Sequence, residues 1–304
     1  MDNSTSRRQF VTQSLAVTAA VGMSMPQVAK CAESGKSEGK SGSLKGHIYK
    51  AVKGGKKKGE TPLAFFERLK ELGFDGVESG STAQASAYRE ATAKTGVRVH
   101  GLVNGGHWGV RLSSHDQATR NRARTNLGNA IKNCAALGGS AVLLVPGVVK
   151  GAAIKGKEAK ASHQEVWDRS IAEVTKLLPL AAKTGVRVLI ETVWNGFCYE
   201  PKQFRDYIDD FNSPWVGAYF DIGNMQKFAP AHEWIQVLGS RTVKLDVKDW
   251  GTKRGFCRLG EGDVNWDRVR EELAKINFSG WATREGRDKN LEDTSKLIDD
   301  LLIG

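Results

Sequence analysis

The sequence predicts an α/β protein folded as a (β/α)8 barrel, on three observations. From Gly46 onward, short β-branched runs alternate with helix-length amphipathic segments, the signature of βα units around a parallel sheet. The series runs to eight strands and eight helices, and the length beyond the amino-terminal region suits one such barrel. Four consecutive strands in the second half each deliver a carboxylate near their carboxyl end, where barrels of this kind carry their sites. A doubly wound open sheet is the competing arrangement. Gly54-Gly55-Lys56 follows the first strand but lacks the Gly-x-Gly-x-x-Gly spacing of a phosphate turn.

The first strand is expected at His47–Val52. Thr61-Pro62 is a cap and first-turn pair, and Leu63, Phe66, Leu69 and Leu72 then mark a helix closed by Gly73. Strand two is Phe74–Glu78, with a helix at Thr82–Lys94; strand three is Val97–Val103, with a long helix at Asp116–Leu137. Strand four, Ser140–Val145, is a continuous apolar run of the kind buried on both faces. A helix at Gln164–Lys183 follows, and Pro179 inside it predicts a kink. Strand five is Val186–Val193, a short helix covers Pro201–Asp209, and strand six is Trp215–Asp221. The sixth helix is Ala231–Leu238, strand seven Thr242–Lys248, the seventh helix Trp266–Lys275, strand eight Gly280–Glu285, and the last helix Leu291–Leu302. Lys-Thr-Gly-Val-Arg-Val occurs twice, at Lys94–Val99 and Lys183–Val188, each time as a helix end, a glycine cap and a new strand.

Ahead of the barrel, Ser6-Arg7-Arg8-Gln9-Phe10 precedes a mildly apolar stretch and small residues near Ala29. This predicts a twin-arginine export signal over residues 1–30, a Ser/Gly/Lys-rich linker over 31–45, and the barrel over 46–304. The expected partner is then the twin-arginine export machinery, and the expected location the periplasm or cell envelope. No uncharged run is long enough for a transmembrane helix in the mature chain. The net charge of +11 is spread over the chain apart from Lys56-Lys57-Lys58, and reads as a solvated surface. Cys31, Cys134, Cys198 and Cys257 form neither a zinc-ribbon spacing nor a disulfide framework, and Cys134 is placed in the core. Oligomeric state is left open, a homo-oligomer included.

The chemistry is expected at the strand ends. On strand seven, alternation sends Lys244, Asp246 and Lys248 into the lumen and Val243, Leu245 and Val247 outward. Strand five ends in Glu191, strand six in Asp221 and strand eight in Glu285. Four bare carboxylates at one height would repel, and a divalent cation removes the conflict. Hard oxygen ligands favour Mg²⁺ or Mn²⁺, with Co²⁺ or Zn²⁺ also able to bind. Lys244 and Lys248 are expected to offset surplus charge, and Lys248 to orient Glu285 or Asp246. A substrate shell is expected from Glu78, His100, His107, Trp194, Asn224, Lys248 and Arg258.

With these residues in view, the chain from about Gly46 resembles the sugar phosphate isomerase/epimerase family with a xylose-isomerase-like TIM barrel, and within it the exported twin-arginine members. The resemblance rests on Glu191-Thr-Val-Trp-Asn, Tyr219-Phe-Asp-Ile-Gly-Asn224, Asp246-Val-Lys-Asp249, Leu259-Gly-Glu-Gly-Asp-Val-Asn-Trp266 and Glu285. It implies Glu191, Asp221, Asp246 and Glu285 as metal ligands, with Glu191 and Glu285 as the acid/base pair. Two positions depart from the family pattern: Asp246 stands where His or Gln is usual, and Asn224 where many relatives have His. The implied reaction is proton transfer next to a carbonyl of a small sugar, through an enediolate, giving isomerisation or epimerisation. Three other functions compete: a lyase acting on keto-glycosides at the same site, a non-catalytic sugar-binding barrel, and a nuclease of the endonuclease IV kind. The last requires several zinc ions and many histidines. Only six histidines are present, none of them in the two aspartate phrases, so no nucleic-acid partner is expected.

Overall fold

The computed structural model describes residues 43–79, 85–152, 161–286, 288 and 290–304. The predicted export signal and nearly all of the predicted linker lie outside the described residues, as does Cys31. Eight parallel strands close into a barrel.

The first half of the barrel begins with β1 (Ile48–Lys53) and α1 (Pro62–Glu71), whose cap Thr61 accepts the amide of Ala64 at 3.2 Å. β2 (Gly76–Ser79), α2 (Ala85–Thr95) and β3 (Arg98–Val103) follow. α3 (Gln117–Leu137) starts on Asp116, which accepts the amides of Ala118 and Thr119, and stops at left-handed Gly138. β4 (Ala141–Leu144) is fully buried, as its unbroken apolar run predicts.

The predicted fourth helix is two helices: α4 (His163–Thr175) and α5 (Leu178–Thr184), parted at Lys176-Leu177. Pro179 cannot donate to a preceding turn, but in the first turn of a new helix no such bond is needed, so the chain breaks rather than kinks. Gly96 (φ +82°) and Gly185 (φ +70°) close α2 and α5, as the repeated phrase predicts.

β5 (Arg187–Glu191), α6 (Pro201–Asp209) and β6 (Val216–Asp221) lead into a short helix that the sequence does not announce, α7 (Ile222–Gln226), capped by the Asp221 carboxylate. After α8 (Ala231–Leu238) and β7 (Thr242–Val247) comes an unpredicted hairpin, β8 (Asp249–Gly251) with β9 (Gly255–Cys257). α9 (Trp266–Lys275), the last barrel strand β10 (Gly280–Arg284) and α10 (Leu291–Ile298) complete the series. The predicted final helix changes to a π-turn over Asp299–Ile303.

The staves run β1-β10-β7-β6-β5-β4-β3-β2 around the barrel. The helix-facing surfaces of the strands join the outer core, while Ala141, Leu143, Leu189 and Tyr219 form a separate cluster inside the lumen. Val243 packs on this inner cluster, against the simple alternation. The register between β6 and β7 slips between Ala218 and Tyr219, which inserts one extra β7 residue and turns Val243 inward beside Lys244.

Candidate active site

β5, β6, β7 and β10 are neighbouring staves, and each carries one acid to the carboxyl mouth. Glu191 is the last residue of β5, Asp221 the last of β6, Asp246 the fifth of β7, and Glu285 follows β10. Asp221 and Asp246 are register partners, and Asp246 faces Thr283 across the next seam. One oxygen from each of the four acids lies within 4.8 Å of the others. Asp221 and Asp246 are fully buried, Glu191 nearly so, and the Glu285 side chain is one-third exposed.

Two ammonium groups enter this cluster. Lys248 Nζ lies 2.8 Å from Asp221 and 3.0 Å from Glu285. Lys53 Nζ lies 2.6 Å from Asp246, 2.9 Å from Glu285 and 3.5 Å from Glu78. Asp221 gives its other oxygen to the Asn224 amide at 2.8 Å. Asp246 Oδ1 is buried with no hydrogen-bond partner.

Electrostatics divides the quartet. Burial, with Glu285 and Asp221 close by, pushes Glu191 up to about 8 against the pull of Lys53 and Lys248. Burial likewise raises Asp221 and Asp246. Glu285 pays the same desolvation, but Lys53 and Lys248 outweigh it and hold its carboxyl down to about 2. Burial would lower both lysines. The surrounding carboxylates win, Asp246 and Glu78 foremost for Lys53 and Asp221 and Glu285 for Lys248, and both are held above the ordinary lysine value.

The predicted substrate shell divides into residues that reach the mouth and residues that do not. A cavity of about 480 Å³ opens over Glu191 and Glu285, and His107, Trp194, Asn224 and Lys248 line it. Asn224 Nδ2 donates to Glu191 Oε1 at 3.3 Å, and the Trp194 indole donates to the Asn224 carbonyl at 2.8 Å. His107 Nδ1 accepts the Val145 amide at 3.2 Å, and burial holds its imidazole down to about 3, in the neutral form.

His100 faces the lumen but lies deeper. It stacks on Trp281 with 4.6 Å between ring centroids, meets Thr283 Oγ1 at 3.1 Å, and receives Lys244 on its carbonyl at 2.6 Å. Lys244 is thereby spent on His100 and does not balance the acids. Glu78 is buried beside Lys53, below the cavity. Lys248 pairs with Asp221 and Glu285; Asp246 is paired by Lys53. Arg258 is half-exposed, clamped on Asp293 at 2.8 Å in an adjoining cavity.

Lys53 is a site residue that the sequence does not announce, because a first strand ending at Val52 leaves it in the following loop. Extending the strand by one residue gives Lys53 the inward parity of Ala51 and sets it beside Glu78, its register partner on β2. Phe256, on the unpredicted hairpin, also lines the cavity, and its ring stacks on Trp194 at 5.0 Å.

A closed parallel barrel with a buried acidic cluster and two lysines at its carboxyl mouth defines a (β/α)8 protein with its site in the strand-end position. More narrowly, the chain belongs to the xylose isomerase-like TIM barrel family, whose model matches residues 66–301. It is similar to L-ribulose-5-phosphate 3-epimerase UlaE of Escherichia coli O1:K1, 26% identical over 257 residues, covering 79% of this chain and 87% of that one. Among solved structures it is similar to 3-keto-D-glucoside 4-epimerase YcjR from E. coli (TM-score 0.70, 17% identity), covering 84% of this chain and 98% of that one. It is also similar to the IOLI protein with a binding zinc atom (TM-score 0.64, 16% identity), covering 83% and 96% respectively.

Proposed function

We propose that this protein is a divalent-cation-dependent sugar epimerase or isomerase that moves a proton on the carbon beside a carbonyl. The observation that carries the reading is the meeting of Glu191, Asp221, Asp246 and Glu285 at one point of the mouth, with Asp246 Oδ1 left unpaired in the interior. Such an oxygen is costly unless a ligand completes it. An all-carboxylate donor set suits a hard cation, so Mg²⁺ or Mn²⁺ is the favoured occupant, which these four side chains would hold. When bound, that ion supplies Lewis acidity toward the oxygens of a hydroxy-ketone.

The remaining work falls to the chain itself. Glu191 and Glu285 stand on β5 and beyond β10, with the Asp221 and Asp246 staves between them, so they approach a bound sugar from different sides. One takes the proton from carbon. The other returns a proton to the opposite face, inverting the centre, or to the neighbouring carbon, moving the carbonyl. Asn224 fixes Glu191, while Lys248 and Lys53 fix Glu285. Trp194, Trp108 and Phe256 wall the mouth with aromatic faces. The two epimerases named above each carry the name of a single-centre inversion, which favours epimerisation. From the Ser6-Arg7-Arg8-Gln9-Phe10 motif we further propose that this activity lies outside the cytoplasm.

The test is incorporation of solvent deuterium into a panel of ketoses and oxo-glycosides by Mn²⁺-loaded protein. Wild type exchanges a carbon-bound proton, and Glu191→Gln does so at least 10³-fold more slowly, within the ~10²–10⁴ expected of general acid–base catalysis. Undiminished exchange in both Glu191→Gln and Glu285→Gln would remove the reading.

A further inference from the structure

Beside the sugar-sized space above Glu191, on the far side of Lys248 and Glu285, lies a second cavity of about 840 Å³, between the β8–β9 hairpin and the start of α10. Asn224, Lys248, Phe256 and Glu285 line both. Each volume is by itself within the roughly 300–1,000 Å³ usual for a small-molecule site. A single sugar over the acids leaves the second lobe to be filled by something attached to it.

The lining of the second lobe says what that attachment is. Among the described lining residues, three cations (Lys248, Arg258 and Arg284) stand against five carboxylates (Asp249, Glu261, Glu285, Asp288 and Asp293). Both arginines are already engaged: Arg258 clamps Asp293 through Nε at 3.1 Å and Nη2 at 2.8 Å, and Arg284 Nη2 meets Asp288 at 2.8 Å. The place where barrels of this kind often hold phosphate, a helix start beyond the last strand, is also taken. Asn290 Oδ1 accepts the amides of Glu292 and Asp293, and those two residues put negative charge into the first turn of α10. Among the described lining residues, a phosphate dianion would meet acids and spent donors. A neutral group rich in hydroxyls would meet acceptors, with Phe256, half-exposed at the junction, as a flat face for a sugar ring.

We infer that the second lobe is a subsite for an uncharged second sugar or similar hydroxylated aglycone, so that the substrate is a keto-glycoside rather than a free ketose or a sugar phosphate. This rests on the proton-transfer reading for the reacting ring and names what that ring is joined to.

The experiment has two arms, one on binding and one on turnover. In calorimetry with Mn²⁺-loaded protein, cellobiose or maltose binds at least tenfold more tightly than glucose. Cys257→Trp and Glu261→Trp, two separate plugs in the second lobe, cut that ratio at least tenfold. In the deuterium-exchange assay, mono-oxidised cellobiose or maltose gives a kcat/KM at least tenfold above that of D-fructose, and fructose 6-phosphate does no better than fructose. Equal binding of disaccharide and glucose, or plugs that leave the ratio untouched, overturns the subsite. So does a preference for fructose 6-phosphate, which would assign the second lobe to an anionic group. If nothing exchanges, the proton-transfer reading falls, and the binding ratio still decides the subsite.

Discussion

Lys53→Met removes one of the two ammonium groups from the acid cluster while keeping most of the side-chain volume. Lys53 lies 2.6 Å from Asp246 and 2.9 Å from Glu285, and its side chain is 17% exposed, so solvent screens these pairs weakly. Breaking a buried pair from one side costs about 3–5 kcal/mol, because the partner charge is left uncompensated. For a domain of this size each kcal/mol is worth about 2–4 °C, so chelator-treated Lys53→Met should melt about 6–20 °C below wild type. A cation bound by the same carboxylates supplies the missing charge. The gap should therefore narrow sharply in excess Mn²⁺, and the variant should gain more from the metal than wild type does. The assay is thermal unfolding of both proteins in chelator and across a Mn²⁺ titration. An equal deficit with and without Mn²⁺ would refute the reasoning, since Lys53 would then matter for packing rather than for the charge of the acids.

Further consequences can be checked with the same protein. Asp249 accepts the Gly260 amide at 2.8 Å and the buried Trp266 indole at 3.2 Å, so Asp249→Ala strands the indole at about 1–3 kcal/mol and should lower the melting temperature in a denaturation scan. His107 stays neutral in the native protein, at about 3, while the unfolded chain takes up its proton near 6.5. Stability from this source is complete above pH 6.5 and drains away as pH falls toward 3, so His107→Gln should flatten the acid limb of melting temperature against pH. Leu189 fills the lumen floor, and Leu189→Ala should cost about 2–5 kcal/mol in urea unfolding.

How far the sequence discloses this molecule follows from which contacts are local. Glycine caps, the Thr61-Pro62 start and the Pro201 start act over a few residues, and those helices begin or end where the sequence places them. The acids at the strand ends are legible for a related reason: two-residue alternation and a closed barrel together fix which side chains point inward. Height within the lumen is another matter. His100 faces inward as the extra residue at the register slip between β2 and β3 and lies at the level of Trp281, and no short stretch encodes that slip. Arg258 is turned away by Asp293, a partner 35 residues on. Lys53 was obscured by one residue of strand length, and Val243 by a single bulge. The β8–β9 hairpin, which walls both cavities, has strands of three residues each, too short for an alternating pattern to register.

The proposed chemistry requires one ion shared by four acids. Crystals grown with Mn²⁺ and measured at the manganese absorption edge should give one strong anomalous peak at the carboxyl mouth, within coordination reach of Glu191, Asp221, Asp246 and Glu285. No peak there at saturating Mn²⁺, with Lys53 still on Asp246 and Lys248 still on Asp221, would contradict it.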